Sequence, residues 1–363
     1  MKMLIPNPRA ARGFSLVELL ISLAIGSVLI AGAVYIYSQS RRSATVSDTQ
    51  ARLQENGRYA LSILEPDIQL AGYYGFSNKP DDFKFISGGS TTSSITAAKM
   101  QKASTALTGV GTTNGCGNNY AVNLIATIEG ANNTYGLGCA ALGGGALLNA
   151  DTLTIRRATN APADGIGAAT PNRLQLLVSR LSPSNQYVFS DGTLPTTPAL
   201  KANLVQVRDL IVRTYYVSRD STDPAAAGLP ALRVKALTDG PSFADAADTE
   251  VMRGVEDFQV QFGIDTGDYD GIGGIDAGRD TNSDGIPDVA NGIATRYVNA
   301  DALPVGFQVV SVRVWILLRA ETAEQGFVNN RAYVYADRNF TPNDGFRRVL
   351  MSRTIQLRNS RTL

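Results

Sequence analysis

The chain of 363 residues carries 33 Lys and Arg against 32 Asp and Glu, so its formal net charge is only +1. Because these charges nearly cancel and the basic residues are dispersed, there is no electrostatic reason to expect nucleic acid as a partner. The sequence has no histidine, which removes the commonest general base and the commonest metal ligand. We therefore expect neither an enzyme nor an organic cofactor.

The first element is an apolar run from Phe14 to Tyr37. About 24 residues at 1.5 Å each would cross a bilayer of about 30 Å. A secretory signal peptide, cleaved near residues 31–33, and a plain membrane anchor are two alternatives. Neither explains why the run keeps one carboxylate, Glu18, near its start. An acidic residue well inside a membrane-spanning helix costs about 2.5–3.5 kcal/mol, and less near the end.

The segment "GFSLVELLISLAIGSVL" at residues 13–29 resembles the processing site of the type IV pilin and pseudopilin family. The resemblance implies a leader at residues 1–13 and a transmembrane helix at 14–37. It also implies that a prepilin peptidase cuts between Gly13 and Phe14 and methylates the new amino terminus at Phe14. Glu18 would then pair with the amino terminus of a neighbouring subunit, so that its charge is compensated on assembly.

Residues 38–72 continue as an amphipathic helix. Pro66 should bend its last turns, and Gly72 should end it. Two helices with a hinge between Ser38 and Ser47 are the alternative. The apolar positions recur at sevens, fours and threes, which predicts one stripe that docks on a sheet; they are Val46, Leu53, Ala60, Leu64, Ile68 and Ala71.

Residues 73–150 form a polar segment, rich from residue 77 in Ser, Thr, Gly and Asn. Such a composition predicts a variable insertion that contributes little to a core. Cys116 and Cys139 lie 23 positions apart within it. An even pair in an exported domain predicts a disulfide worth about 3 kcal/mol, and two free thiols are the alternative.

Strands dominate residues 151–363, because runs rich in Val, Ile and aromatic residues alternate with Gly, Pro, Asn and Asp. The predicted fold is therefore α+β, with a long amino-terminal helix packed on an antiparallel sheet, or on two. The candidate strands are 151–158, 173–181, 203–220, 231–237, 249–265, 307–321, 331–337 and 346–359.

An acidic loop at residues 265–291 contains "DTNSDGIPD", whose oxygen-bearing residues alternate as in the first part of a calcium loop. Asn291 stands where an EF-hand has a bidentate Glu, so binding should be weaker. A solvated acidic turn without an ion is the alternative. Ca²⁺ is the cofactor that the loop suggests, and the candidate metal-site residues are Asp280, Asn282, Asp284, Ile286 and Asp288.

Four blocks in the carboxy-terminal half, beginning with "GVEDFQVQFGID" and ending with "FRRVLMSRTIQLRN", resemble the PilW-type minor pilins. These are related to the J-type minor pseudopilins of type II secretion. The resemblance implies a minor pilin of the tip or priming complex of a type IV pilus. Its partners would be other minor pilins, the major pilin, the prepilin peptidase and a tip adhesin.

The same resemblance implies a chain anchored once in the inner membrane, with its carboxy-terminal domain in the periplasm, that later enters the pilus. Two other functions stay open. The chain could be a J-like minor pseudopilin of a type II secretion system. It could also be a calcium-dependent adhesin subunit, because the polar insertion and the acidic loop suit recognition.

Overall fold

A computed structural model describes the chain in segments, and it divides into two compact units, Met1–Arg52 and Leu53–Leu363. The first unit is described from residue 15. The described residues are 15–77, 80, 83–87, 90–94, 116, 120–160, 163–164, 170, 173–180, 186–189, 205–237, 248–265, 292–303 and 309–360. The predicted boundaries at residues 13, 37, 72 and 150 stay predictions.

One helix, α1, runs without interruption from Leu16 to Gln69 over 54 residues. The alternative of two helices with a hinge near Ser38–Ser47 is therefore wrong. Pro66 lies inside the helix, and Gly72 follows its end in the left-handed region at φ 74°, where a residue without Cβ is favoured. The predicted stripe is buried from Leu53 onward, whereas Val46 is half-buried.

The close approach of α1 to the sheet explains why residue 57 is a glycine. Gly57 is buried inside the helix. A Cβ atom at this position would collide with Met351 and lie 2.9 Å from Leu318 Cδ1. Glycine costs a helix about 1 kcal/mol relative to alanine. Here it allows the helix backbone to lie directly on two strands.

The described residues form sixteen strands. The antiparallel prediction holds except for one parallel pair, β1 with β7; parallel neighbours need a long crossover connection. The bounds are β1 Phe83–Ser87, β2 Ser90–Ser94, β3 Ile128–Ala131, β4 Thr152–Ala158, β5 Ala163–Asp164, β6 Gln175–Ser179, β7 Gln186–Phe189, β8 Val205–Ser218, β9 Ala231–Ala236, β10 Asp248–Arg253, β11 Val255–Ile264, β12 Arg296–Asn299, β13 Val309–Arg319, β14 Tyr333–Tyr335, β15 Arg338–Phe340 and β16 Arg348–Gln356.

The strands form three sheets. A ten-stranded sheet has the order β10-β9-β8-β6-β7-β1-β2; off this path, β4 and β5 pair with β8, and β3 pairs with β4. A four-stranded sheet has the order β12-β11-β13-β16, and β14 pairs with β15. The largest hydrophobic cluster joins the buried stripe of α1 to strands of both larger sheets. The predicted α+β class is therefore confirmed.

All eight predicted strand segments contain strands, and the predicted strand 249–265 is two, β10 and β11. Gly254 separates them with φ 81°, which interrupts regular pairing. The sequence did not predict β1, β2, β3, β5, β7, β12 or β15, which are short.

The expectation that residues 73–150 contribute little to a core is wrong, because both Tyr74 and Phe83 near the start of this segment and residues of its second half are buried. Tyr120, Val122 and Leu124 are buried in a hydrophobic cluster with strands of the ten-stranded sheet. Ile128 belongs to the largest cluster. The composition of the whole segment obscured this contribution, because the short apolar run at residues 120–128 is diluted by the Ser, Thr, Gly and Asn around it.

A buried carboxylate attaches α1 to the ten-stranded sheet. Asp67 is 2% exposed. Arg157 of β4 donates to its Oδ1 from Nε at 3.1 Å and from Nη2 at 2.8 Å. Arg213 and Tyr215 of β8 donate to its Oδ2 at 2.8 Å and 2.6 Å. Burial, reinforced by Asp67, raises the pKa of Tyr215, so its hydroxyl stays a donor.

A second buried carboxylate, Asp151, joins the two larger sheets. Its oxygens accept from the main-chain N–H of Asn133 at 2.7 Å and of Val260 in β11 at 2.8 Å. Burial is the main cause that raises the pKa of Asp151 to about 7, and the carboxylates of Asp337 and Asp257 add to it. The two main-chain donors act in the opposite direction.

We predict that Asp67→Ala lowers the free energy of unfolding by about 3–5 kcal/mol, because it leaves the buried Arg157 without its counter-ion. Asp48→Ala is a matched control in the same helix, since Asp48 pairs with Arg52 at 3.0 Å but both side chains are exposed. That pair should contribute about 0–1 kcal/mol. Denaturant unfolding of the detergent-solubilised chain measures both, and equal effects would contradict the assignment.

The raised pKa of Asp151 predicts a pH dependence of stability. Because the folded chain favours the neutral carboxyl, Asp151 stabilises the folded chain fully below its ordinary pKa of 3.8. This contribution to the free energy of unfolding is lost as the pH rises through about 7. The difference between the two pKa values corresponds to at most about 4 kcal/mol. Unfolding of the wild type and of Asp151→Asn should be compared between pH 4 and 8. Relative to the variant, the wild type should lose stability across this range, and parallel curves would refute the prediction.

Candidate assembly site

The first half of α1 presents its apolar side chains to the outside. Every residue from Ser15 to Tyr37 is exposed except the half-buried Gly26. Among the described residues, α1 is the single helix whose length and composition would let it cross a membrane. An exposed apolar surface of this extent marks a site of contact with lipid or with other apolar helices.

Glu18 has a partner within its own chain. The main-chain N–H of Ser15 donates to Glu18 Oε2 at 3.0 Å, and Leu19 N–H donates to Ser15 O at 3.1 Å. Ser15 thus precedes the first turn of α1, and Glu18 reaches back to its main-chain N–H, which is one of the two bonds of a capping box. This contact gives Glu18 a local role that the sequence interpretation did not include, namely satisfying a free donor at the helix start.

The processing residues Gly13 and Phe14 lie outside the described part of the chain, just before this cap. A terminus at Phe14 would be next to Ser15 in sequence. The chain's own amino group and that of a neighbouring subunit would therefore both be candidate partners for the Glu18 carboxylate.

Cys116 and Cys139 form a disulfide with Cα atoms 4.1 Å apart, as predicted. Both belong to or pack against the hydrophobic cluster that contains Val122 and Leu124. The disulfide therefore closes a loop within the polar segment, next to the cluster that packs on the ten-stranded sheet.

The candidate metal residues Asp280, Asn282, Asp284, Ile286 and Asp288 lie outside the described residues. Of the described residues that flank the acidic loop, Asp265 Oδ2 accepts from Gly292 N–H at 2.6 Å. This hydrogen bond closes the base of the loop between β11 and β12. Among the described residues, no group of three acidic or cysteine side chains could hold a metal ion.

Sequence reasoning missed Asp67, although its position carried a signal. Asp67 lies three residues after Leu64 and four before Ala71, so it falls on the apolar stripe. An acidic residue on a buried helix face requires a cationic partner. The sequence of β4 contains two adjacent arginines, Arg156 and Arg157, but spacing alone cannot show which strand meets the helix.

Comparison with known proteins gives matches at both ends of the chain. Residues 8–34 match the prokaryotic N-terminal methylation motif, and residues 214–359 match the family described as Type IV Pilus-assembly protein W. No curated protein matches the chain. A type IV-like pilin from Thermus thermophilus is similar at 16% identity, over 58% of this chain and 79% of that chain, with a TM-score of 0.25. A likeness at that TM-score is too weak to support an argument.

The two family matches have separate physical counterparts. The methylation motif includes the Ser15–Glu18 cap and the first turns of the exposed apolar helix. The second match begins within β8 and includes the four-stranded sheet that packs on α1. The chain thus combines an N-terminal methylation motif at residues 8–34 with a region at residues 214–359 that is similar to the PilW family.

Proposed function

We propose that this chain is a minor pilin of the tip or priming complex of a type IV pilus and supports pilus assembly. The observation that carries the proposal is the exposed apolar helix start capped by Glu18, on a chain whose carboxy-terminal half matches the PilW family. The chain works by assembly and not by catalysis. Its partners are the prepilin peptidase, other minor pilins, the major pilin and a tip adhesin.

In this proposal the chain is first held in the inner membrane by residues 14–37, with the folded domain in the periplasm. Cleavage between Gly13 and Phe14 and methylation of Phe14 prepare it for assembly. The apolar helix then moves from lipid to a bundle of similar helices, where van der Waals packing replaces lipid contact. Glu18 is compensated there by the amino terminus of a neighbouring subunit.

We predict that pili sheared from cells contain this chain with an N-methylated Phe14 at its start, and that Glu18→Ala reduces its incorporation. Peptide mass spectrometry of sheared pili measures both. A mature chain that begins after residue 33 would instead indicate a cleaved signal peptide and would refute the proposal.

Glu18→Gln is the control that separates the two roles of Glu18. Glutamine keeps an oxygen that accepts from Ser15 N–H, but it removes the charge. If the charge meets a neighbour's terminus, Glu18→Gln should fail to incorporate as Glu18→Ala does. Incorporation of Glu18→Gln at the wild-type level would show that the helix cap is the whole role of Glu18.

A J-like minor pseudopilin of a type II secretion system is the nearest alternative. Both functions would use the same processing site and the same apolar helix. Neighbouring genes for a retraction motor favour the pilus, whereas genes for a secretin-linked export system favour the pseudopilus.

We also propose that the acidic loop binds Ca²⁺, which would suit an adhesin subunit. Its support is the spacing of Asp280, Asn282 and Asp284, together with the closed loop base at Asp265 and Gly292. Neighbouring carboxylates near a surface repel by on the order of 1 kcal/mol per close pair, and a divalent cation removes that cost.

Calcium should therefore stabilise the chain, by about 2.7 kcal/mol at about 100 times its Kd. Thermal melts in millimolar Ca²⁺ and in chelator measure the effect, with Mg²⁺ as the control cation because it requires tighter octahedral geometry. Asp284→Ala should abolish the difference. Identical melting temperatures in the two solutions would refute calcium binding, and the loop would then be only a charged connection between strands.

A further inference from the structure

Among the residues that the structure describes, the carboxy-terminal strand β16 is an edge of the four-stranded sheet, and just beyond it Arg358 N–H donates to Gln69 O of α1 at 2.9 Å. Strand β16 pairs with β13 over nine successive residue pairs from Arg348 to Gln356, without a register shift. The other edges in the described part of the chain are shorter or irregular. Strand β10 has six residues and a shift, β2 has five and a shift, and β12 has four. A long regular edge without a bulge or proline is a template for another strand.

The hydrogen-bond pattern shows which groups point outward. Leu357 N–H donates to Val310 O at 2.9 Å, and Ala320 N–H donates to Arg347 O at 2.8 Å. Because antiparallel pairs alternate, the odd-numbered residues of β16 bond to β13 and the even-numbered residues face away. Within the part of the chain that the structure describes, the outward groups have no other main-chain partner; they belong to Leu350, Ser352, Thr354 and Gln356.

The side chains beside this edge are polar and exposed. Ser352, Thr354 and Gln356 are exposed and uncharged. Arg313 of β13 leans toward the edge, since its Nε donates to Thr354 Oγ1 at 3.3 Å. Its guanidinium lies 3.9 Å from the centroid of the Tyr297 ring. Stacking on Tyr297, which belongs to β12, restrains the guanidinium, and its Nε remains in contact with Thr354 of β16.

Unbalanced positive charge surrounds the edge. Arg313 and Arg358 form no ion pair among the described residues, and Arg353 is balanced by Glu65 of α1 at 2.9 Å. The segment 347–358 contains no acidic residue. A second copy of this chain would place arginines against arginines at the same edge, which is unfavourable. A strand with carboxylates would complement it.

We propose that β16 accepts an extended segment of a neighbouring pilus subunit, which adds a fifth strand and places a carboxylate near Arg313. The inference rests on the proposed role in pilus assembly. Main-chain hydrogen bonds along residues 350–356, about 20 Å of strand, provide affinity. The carboxylate provides specificity, because a side chain opposite Thr354 lies one strand spacing of about 4.8 Å away.

The test compares Thr354→Pro with Thr354→Ala in the full-length chain in cells. Proline removes an N–H that points away from β13, so the existing ladder is kept, while an incoming strand loses a donor and meets the ring. Alanine keeps the N–H. We expect Thr354→Pro to reduce the number of surface pili at least about tenfold, whereas Thr354→Ala leaves it unchanged. Wild-type piliation by Thr354→Pro would overturn the proposal.

Two further measurements keep the result interpretable. Fluorescence of Trp315, the single tryptophan, reports in detergent whether each variant is folded. If Thr354→Pro is unfolded, Arg313→Glu takes its place in the test. The reversed charge should repel the incoming carboxylate while the main chain stays intact. Wild-type piliation by a folded Arg313→Glu would then overturn the proposal. A wild-type dimer that Thr354→Pro converts to a monomer would also overturn it, since a second copy would then occupy the edge.

Deletion of the gene distinguishes the inference from the proposed function. If deletion leaves the number of pili unchanged, the role in pilus assembly is wrong. If deletion abolishes pili but Thr354→Pro restores them as Thr354→Ala does, the role stands and the open edge is not the contact.

Discussion

The ion pair between Asp67 and Arg157 is the contact on which the arrangement of helix and sheet depends. A carboxylate removed from water must be paired, and Asp67 is held by donors from two adjacent strands, β4 and β8. Apolar burial alone would let a helix slide or rotate on a sheet. Hydrogen bonds to both oxygens of one carboxylate fix the rotation and the position of the last turns of α1.

The same helix serves two environments along its length. From Leu53 its stripe is buried against both larger sheets, whereas the apolar residues before Tyr37 have no partner within the described chain. Such a surface is stable only in lipid or against similar helices. Glu18 stands at the start of this surface, where its carboxylate accepts from Ser15 N–H. That contact requires only an oxygen, whereas the proposed pairing with a neighbouring terminus would require the charge.

The four-stranded sheet is sealed at one end of its outer face and open along one edge. Asp257 of β11 accepts from Tyr335 at 2.6 Å and from Arg338 at 3.1 Å, which ties the β14–β15 hairpin to the sheet. Arg348 pairs with Glu256 and Asp344 at the start of β16. On its other face β16 packs against α1 through Met351 and Arg353, and among the described residues the outward main-chain groups from Leu350 to Gln356 have no main-chain partner. The ion pairs at its start and the regular pairing with β13 order β16 before any partner arrives, so the strand addition proposed above would have a low ordering cost.

The sequence by itself determined the features that arise from local periodicity and spacing. The apolar run, the position of Glu18, the stripe of α1 and eight strand segments follow from patterns within a few residues, because side-chain direction repeats with a fixed period in each element. The disulfide was predictable from an even pair of cysteines in a domain that the resemblance to pilins implies is exported. The tertiary structure decided which elements meet. Asp67 finds partners 90, 146 and 148 residues away, Asp151 joins strands of separate sheets, and strands as short as β3 or β12 exist because longer neighbours pair with them. These contacts depend on which segments, far apart in the sequence, come together in the fold. Local sequence patterns do not encode which segments meet.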